Sequence, residues 1–152
     1  MQRRQILGST GAVALAALAV NAMAQQPAPA TMDHSHHMHH GGSPYAELIR
    51  SSSECVSTGE ACLAHCLVLL ADGDKAMAEC AQSVNQLLAI CTALGKLAAQ
   101  NSKMTRSFAK LALDACTECE KSCRKHADKH AECKACAQAC TDCIKQCKAV
   151  TA

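Results

Sequence analysis

Five cysteines near the C-terminus, Cys133, Cys136, Cys140, Cys143 and Cys147, follow one another at steps of 3, 4, 3 and 4. A thiolate is both a nucleophile and a soft metal ligand, and steps of three and four keep side chains on one face of an α-helix. The pattern recurs upstream. Cys116, Cys119 and Cys123 continue a stripe begun by Ala109 and Ala112, while Cys80 and Cys91 share one with Val84, Leu87, Leu94 and Ala98. Cys55, Cys62 and Cys66 share a third with Leu48 and Leu69. Charged residues such as Lys134, Asp142, Lys145 and Lys148 fall between the stripes. All 13 cysteines thus occupy positions where a helix normally keeps its apolar core.

Several chemistries compete for such an arrangement. A disulfide framework is the usual use of many cysteines in an exported chain. The odd count leaves one thiol over, however, and neighbouring thiols on a continuous helix project in parallel, a poor match for the torsion of a disulfide. Cysteine as small apolar filler explains one or two positions, not 13 in register. Metal binding remains, and charge selects the metal. Burying many thiolates needs compensation; Cu(I) shared between bridging thiolates approaches one ion per cysteine and leaves the core near neutral. Zn(II) prefers closed groups of four, and the continuous ladder isolates none. Iron–sulfur clusters sit on loop spacings with a following proline, and no proline occurs after Pro44. The donors therefore point to multiple Cu(I) ions, with Ag(I) an equally soft alternative.

Two further residues lie near one end of the stripes. His65 sits between Cys62 and Cys66, and Met77 is three residues before Cys80. Alone, each reads as ordinary core packing; beside a thiolate column, imidazole and thioether read as ligands at a mouth that admits Cu(I). His126 and His130 flank the same end, where a solvated turn explains them equally well.

The elements that position these residues follow from the breaks between stripes. Residues 1–24 form an export signal: the Arg3-Arg4 pair, an apolar run and the small-residue site Ala22-Met23-Ala24. The pair has the twin-arginine pattern, which implies a periplasmic protein. The run is too short to span a bilayer, so no stable membrane insertion is expected. Residues 25–44 carry all three prolines and the tract HSHHMHH at 34–40, a disordered leader whose histidines suit Cu(II), Zn(II) or Ni(II). Residues 45–152 hold four helical segments: the first to the turn at 72–74, then Lys75 to about Ala99, Met104 to Ala127, and Lys129 to Val150. Short polar breaks make neighbours antiparallel. The fold class is all-α, an antiparallel up-down four-helix bundle with a cysteine-lined core.

Counting along the helices from the turns at 72–73 and about 129 gives matched depths. Cys66, Cys80, Cys123 and Cys136 share one level, and Cys62, Cys119 and Cys140 the next. Cys116 and Cys143 lie below these, and Cys55, Cys91 and Cys147 are deepest, above a plug of Leu48, Leu94 and Phe108. The thiols would fill a column on the order of 20 Å long.

Charge and aromatics exclude other classes. Without Arg3 and Arg4, the 15 basic residues fall to 13 against 13 acidic, and the only aromatics are Tyr45 and Phe108. No nucleic-acid surface follows from that. No Ser/His/acid set or paired carboxylates stand out, so no enzyme is expected. The rival from another class is a thiol redox enzyme using CTEC (116–119) or CKAC (133–136). Such an enzyme places one low-pKa cysteine at a helix N-terminus near a cleft, whereas these pairs are mid-helix and face inward.

The motifs CTECEKSC (116–123), CKACAQACTDCIKQC (133–147) and CLAHC (62–66) resemble the four-helix-bundle copper storage proteins of bacteria, in particular the exported branch of methane oxidisers. The resemblance covers about residues 45–150. It implies that the 13 cysteines are Cu(I) ligands, with His65 and Met77 at the mouth, and that the protein is a homotetramer. It further implies a recipient cuproenzyme, the methane-oxidising monooxygenase. A Cu/Ag detoxification sink is the alternative within the same class.

Overall fold

The computed structural model describes residues 43–152, in which four helices follow in order. They are α1 (Ala46–Ala71), α2 (Ala78–Ala99), α3 (Thr105–Arg124) and α4 (Ala131–Thr151), with a short 3-10 turn, Lys75–Met77, leading into α2. No strand occurs among the described residues. The expected export signal and nearly all of the His-rich leader lie outside them.

The first two helices end for recognisable reasons. Gly73 takes φ 95°, the left-handed region that a side chain disfavours. Its N–H donates to the Leu70 carbonyl, and that of Asp74 donates to Leu69, satisfying two carbonyls left open at the end of α1. The Asp74 carboxylate then accepts from the Ala76 N–H and starts the next turn. Asn101, at φ 50°, repeats the device after α2, with its own N–H on Ala98 O and the Ser102 N–H on Leu97 O. The third break has neither glycine nor proline. There α3 stops at Arg124 and α4 starts at Ala131, so both are shorter than the expected bounds at Ala127 and Lys129. The chain between them is held by turn bonds such as His126 N–H to Cys123 O and His130 N–H to His126 O.

Contacts run α1–α2, α2–α3, α3–α4 and α4–α1, which closes the helices into a ring around one axis. Antiparallel neighbours joined by short turns make this the up-down bundle expected from the stripes. Gly59 allows α1 and α2 close approach: a Cβ there would sit 3.0 Å from the Leu88 side chain and 3.2 Å from that of Leu87. By length and composition alone α1 is apolar enough to cross a membrane. Within the bundle its inward side, including Leu48, Cys55, Cys62 and Cys66, is buried in the core.

The two hairpins do not stand level. Cys62, ten residues before Asp72, has its sulfur 3.8 Å from that of Cys133, only four residues after Lys129. Cys91 likewise meets Cys116, although the two lie at different counts from their turns. Residues at unequal counts from their turns thus stand side by side where α1 meets α4. This corrects the depth-matched layers read from the sequence in part: Cys80 and Cys123, at matched counts, do meet at 3.5 Å, whereas Cys62 meets Cys133 from a different count. Counting fixes height within a hairpin; the packing of one hairpin on the other fixes it between them.

Candidate metal centre

Every one of the 13 cysteines is at most 1 % exposed, and none is bonded to another. The inward stripes of all four helices therefore deliver their sulfurs to the axis, and they arrive in groups. Near the turns, Cys62, Cys66, Cys80 and Cys133 place their sulfurs within 4.8 Å of one another. Cys62 with Cys123 and Cys136, and Cys119 with Cys136 and Cys140, do the same in the middle. Deeper, Cys55, Cys91, Cys116 and Cys143 form a second group of four. Shared members make the upper groups continuous, as bridging thiolates require. Cys147 lies beyond, 3.9 Å from Cys143. Below it the core is apolar, with Leu48, Leu94, Ala98, Ala109 and Ala112 buried and Phe108 packed against them.

The closest sulfurs, those of Cys80 and Cys123, are 3.5 Å apart, far from the disulfide length of about 2.05 Å. In place of bonds, the thiols share protons. Hydrogen bonds from Cys116 and Cys140 hold the Cys55 thiol down to about 6. Cys143 is lowered by Cys116 and Cys147, and Cys119 by Cys123 and Cys136. Others move the other way: Cys116 is raised by its contacts with Cys140 and Cys143, and Cys123 by those with Cys119 and Cys136. Burial pushes Cys66 and Cys133 up. Closely spaced thiols form an array in which soft cations can replace the thiol protons. The two groups of four correct the expectation that no isolated set of four occurs, and either alone would suit Zn(II) as well as Cu(I); buried sulfurs without carboxylates or amides among them suit thiophilic metals.

The CTEC and CKAC pairs belong wholly to this interior. Cys116, Cys119, Cys133 and Cys136 each show no exposed surface, so no thiol of either pair is presented to a protein substrate.

The end near the turns carries the nitrogen and thioether donors. Met77 is fully buried at the start of α2, whereas His65 is partly exposed. The sequence admits His130 equally as a helper at the mouth and as a residue of a solvated turn. The structure brings it over His65, with His65 Nε2 2.9 Å from His130 Nδ1. Glu132, which the sequence did not single out, puts a carboxylate oxygen 3.8 Å from the same His65 nitrogen. His126 stands further out, its ring centroid 6.4 Å from that of His130. The one available signal was that His130 and Glu132 flank the start of a cysteine-striped helix. Outside the core, Lys125, just past the end of α3, reaches Glu79 of α2 at 2.7 Å, and Arg124 with Glu120 and Thr141 ties α3 to α4.

Comparison with known proteins gives one consistent result. Residues 42–152 match the family model described as copper storage protein. The copper storage protein Ccsp from Streptomyces lividans, loaded with 10 copper equivalents, is 25 % identical with a TM-score of 0.64, covering 73 % of this chain and 88 % of that one. The apo form of copper storage protein 3 from Bacillus subtilis is 27 % identical with a TM-score of 0.62, covering 71 % and 99 %. A cytosolic copper storage protein from Streptomyces lividans, with five coppers, is 25 % identical with a TM-score of 0.63, covering 70 % and 90 %. No curated protein matches.

Proposed function

The chain belongs to the copper storage protein family, and from that premise we propose that its 13 cysteines hold Cu(I) as a continuous thiolate array inside the bundle. Storage of multiple Cu(I) ions is the function, and the observation that carries it is the convergence of 13 buried, unpaired sulfurs on one axis, all but Cys147 in close groups of three or four. Each thiolate that bridges two ions offsets part of two charges, so capacity should be on the order of one ion per cysteine. Native mass spectrometry of anaerobically loaded protein counts those ions directly. Retention of only one or two would contradict the proposal.

Further parts of the reading rest on particular residues. His65 and Met77 form the mouth, supported by their position at the end opposite the apolar plug of Leu48 and Leu94. Export by the twin-arginine route is supported by Arg3-Arg4 and Ala22-Met23-Ala24; fractionation of cells should recover a chain beginning at Gln25 in the periplasm. Assembly into a homotetramer is supported by the outer face of α1, where Ala61, Ala64, Leu67, Val68 and Ala71 are exposed without a charge among them. Sedimentation of the full bundle tests it. Supply of the copper to an exported or membrane cuproenzyme completes the proposal, and such supply accords with storage outside the cytoplasm.

A further inference from the structure

The deep group of four cysteines differs from every other group in the column. Cys55, Cys91, Cys116 and Cys143 share no member with the groups above them, whereas Cys62 and Cys136 each belong to two. The four come one from each helix, α1, α2, α3 and α4 in turn. The other set of four draws Cys62 and Cys66 from α1 and nothing from α3. Three of the deep four have no exposed surface, and Cys91 has 1 %.

Geometry decides what such a closed set suits. A tetrahedral ion with metal–sulfur bonds of about 2.3 Å sets its sulfurs about 3.8 Å apart. Cys91 and Cys116 already stand at 3.8 Å, and all four sulfurs lie within 4.8 Å of one another. Each sulfur therefore closes in by no more than about 0.6 Å to reach one central ion. Four protein sulfurs around a dry centre, with no open position, are the donor set of structural zinc. Binding deprotonates all four thiols: one Zn(II) and four S–H groups give a tetrathiolate with two negative charges, and four protons leave. Two thiols outside the group can donate to that buried charge. Cys147 lies 3.9 Å from Cys143, and Cys140 hydrogen-bonds Cys55.

We propose that Cys55, Cys91, Cys116 and Cys143 hold a single tetrahedral Zn(II) in the copper-free protein, and that Cu(I) displaces it. The ion pins all four helices at the deep end of the column and occupies four thiolates until copper arrives. Displacement balances: four Cu(I) and one zinc tetrathiolate give four copper(I) thiolates, neutral in sum, and one free Zn(II). Soft thiolates favour Cu(I), which sets the direction of the exchange. The displacement rests on the storage reading; the zinc site does not.

The test uses the full chain with His34, His36, His37, His39 and His40 replaced by alanine, so that the leader does not compete. One equivalent of Co(II), a coloured ion with zinc's tetrahedral preference, is added anaerobically to the reduced, metal-free protein. The expected result is the absorption spectrum of tetrahedral Co(II) on four thiolates, bleached by one equivalent of Zn(II). Cys91→Ser or Cys116→Ser should weaken zinc binding by more than about 100-fold, and Cys66→Ser, in the other set of four, by less than about 10-fold. Circular dichroism should show the same helix content in all variants, and one Zn(II) should raise the melting temperature of the unsubstituted bundle. An octahedral Co(II) spectrum, or a larger loss in Cys66→Ser than in Cys116→Ser, would overturn the site. Cu(I) added to the zinc form should then release the zinc to a coloured chelator. A chain that binds zinc on these sulfurs but takes up no Cu(I) would overturn the storage reading and the displacement, and leave the site. One that stores Cu(I) but gives no tetrathiolate spectrum would overturn this proposal alone.

Discussion

Cys80 of α2 and Cys123 of the neighbouring α3 meet with sulfurs 3.5 Å apart, the shortest such distance in the column. Cys123 is also 3.9 Å from both Cys62 and Cys119, so it stands where the groups near the turns meet those in the middle. Replacing Cys80 and Cys123 together by serine should lower copper capacity by about two ions, because each bridging thiolate serves roughly one ion. The small, polar replacement leaves the outer helix contacts in place, so circular dichroism should be unchanged. A capacity equal to wild type by copper analysis would mean that these sulfurs are not ligands.

Helix content should hardly differ between metal-free and copper-loaded protein. Leu48, Val84, Leu87 and Leu94 are fully buried, and Leu63, Leu69, Leu70, Leu88 and Leu113 pack against them, so the bundle has a core without metal. Far-ultraviolet circular dichroism before and after loading checks this. A disordered apo chain that folds on adding Cu(I) would place the protein with metal-coupled folders instead.

The metal-free protein should lose stability in mildly alkaline solution. Burial raises the Cys66 and Cys133 thiols, so their contribution is complete below the unfolded thiol value of about 8.5. Above that value the unfolded chain ionises while the folded thiols keep their protons, and stability falls as the pH climbs. Cys55, held at about 6, acts in the opposite sense, with its contribution complete above about 8.5 and lost as the pH falls through 6. Raised thiols outnumber lowered ones, so apo melting temperatures should peak near pH 8 and decline towards pH 10. Loaded protein, whose thiolates are already metal-bound, should show a nearly flat profile. Apo melts that stay level to pH 10 would contradict the assignment.

His65→Ala combined with Met77→Ala should slow Cu(I) uptake or removal while leaving capacity nearly intact, because neutral donors at a mouth hold Cu(I) less tightly than bridging thiolates. Substituting Cys55, Cys91 and Cys147, at the plugged end, should lower capacity instead. Stopped-flow loading beside equilibrium titration separates the two effects. Loading and unloading of the His/Met variant at wild-type rates would move the port elsewhere.

Much of this architecture was legible in the residues. The stripe Cys133, Cys136, Cys140, Cys143 and Cys147 defines a helix face without help from the structure, and burying it requires three matching faces, which the other cysteines supply. The plug was equally readable, since Leu48 and Leu94 continue cysteine stripes past their last thiol. What did not follow was which residues meet where α1 packs on α4. The turns at Gly73 and Asn101 carry local signals, but the relative height of two hairpins depends on how whole helix faces interlock. Counting from level turns therefore missed the meeting of Cys62 with Cys133, and with it the pairing of His65 with His130. The break after Arg124 was misplaced for a related reason: no glycine or proline marks it.

The central claim is a many-ion Cu(I) store on cysteine thiolates, and an anaerobic titration of the fully reduced protein against a competing Cu(I) chelator tests it most directly. The account predicts that the chelator stays unoccupied until about one Cu(I) per cysteine has been added, then fills sharply. An endpoint at one or two equivalents would contradict it, and would fit a copper chaperone or a single redox site.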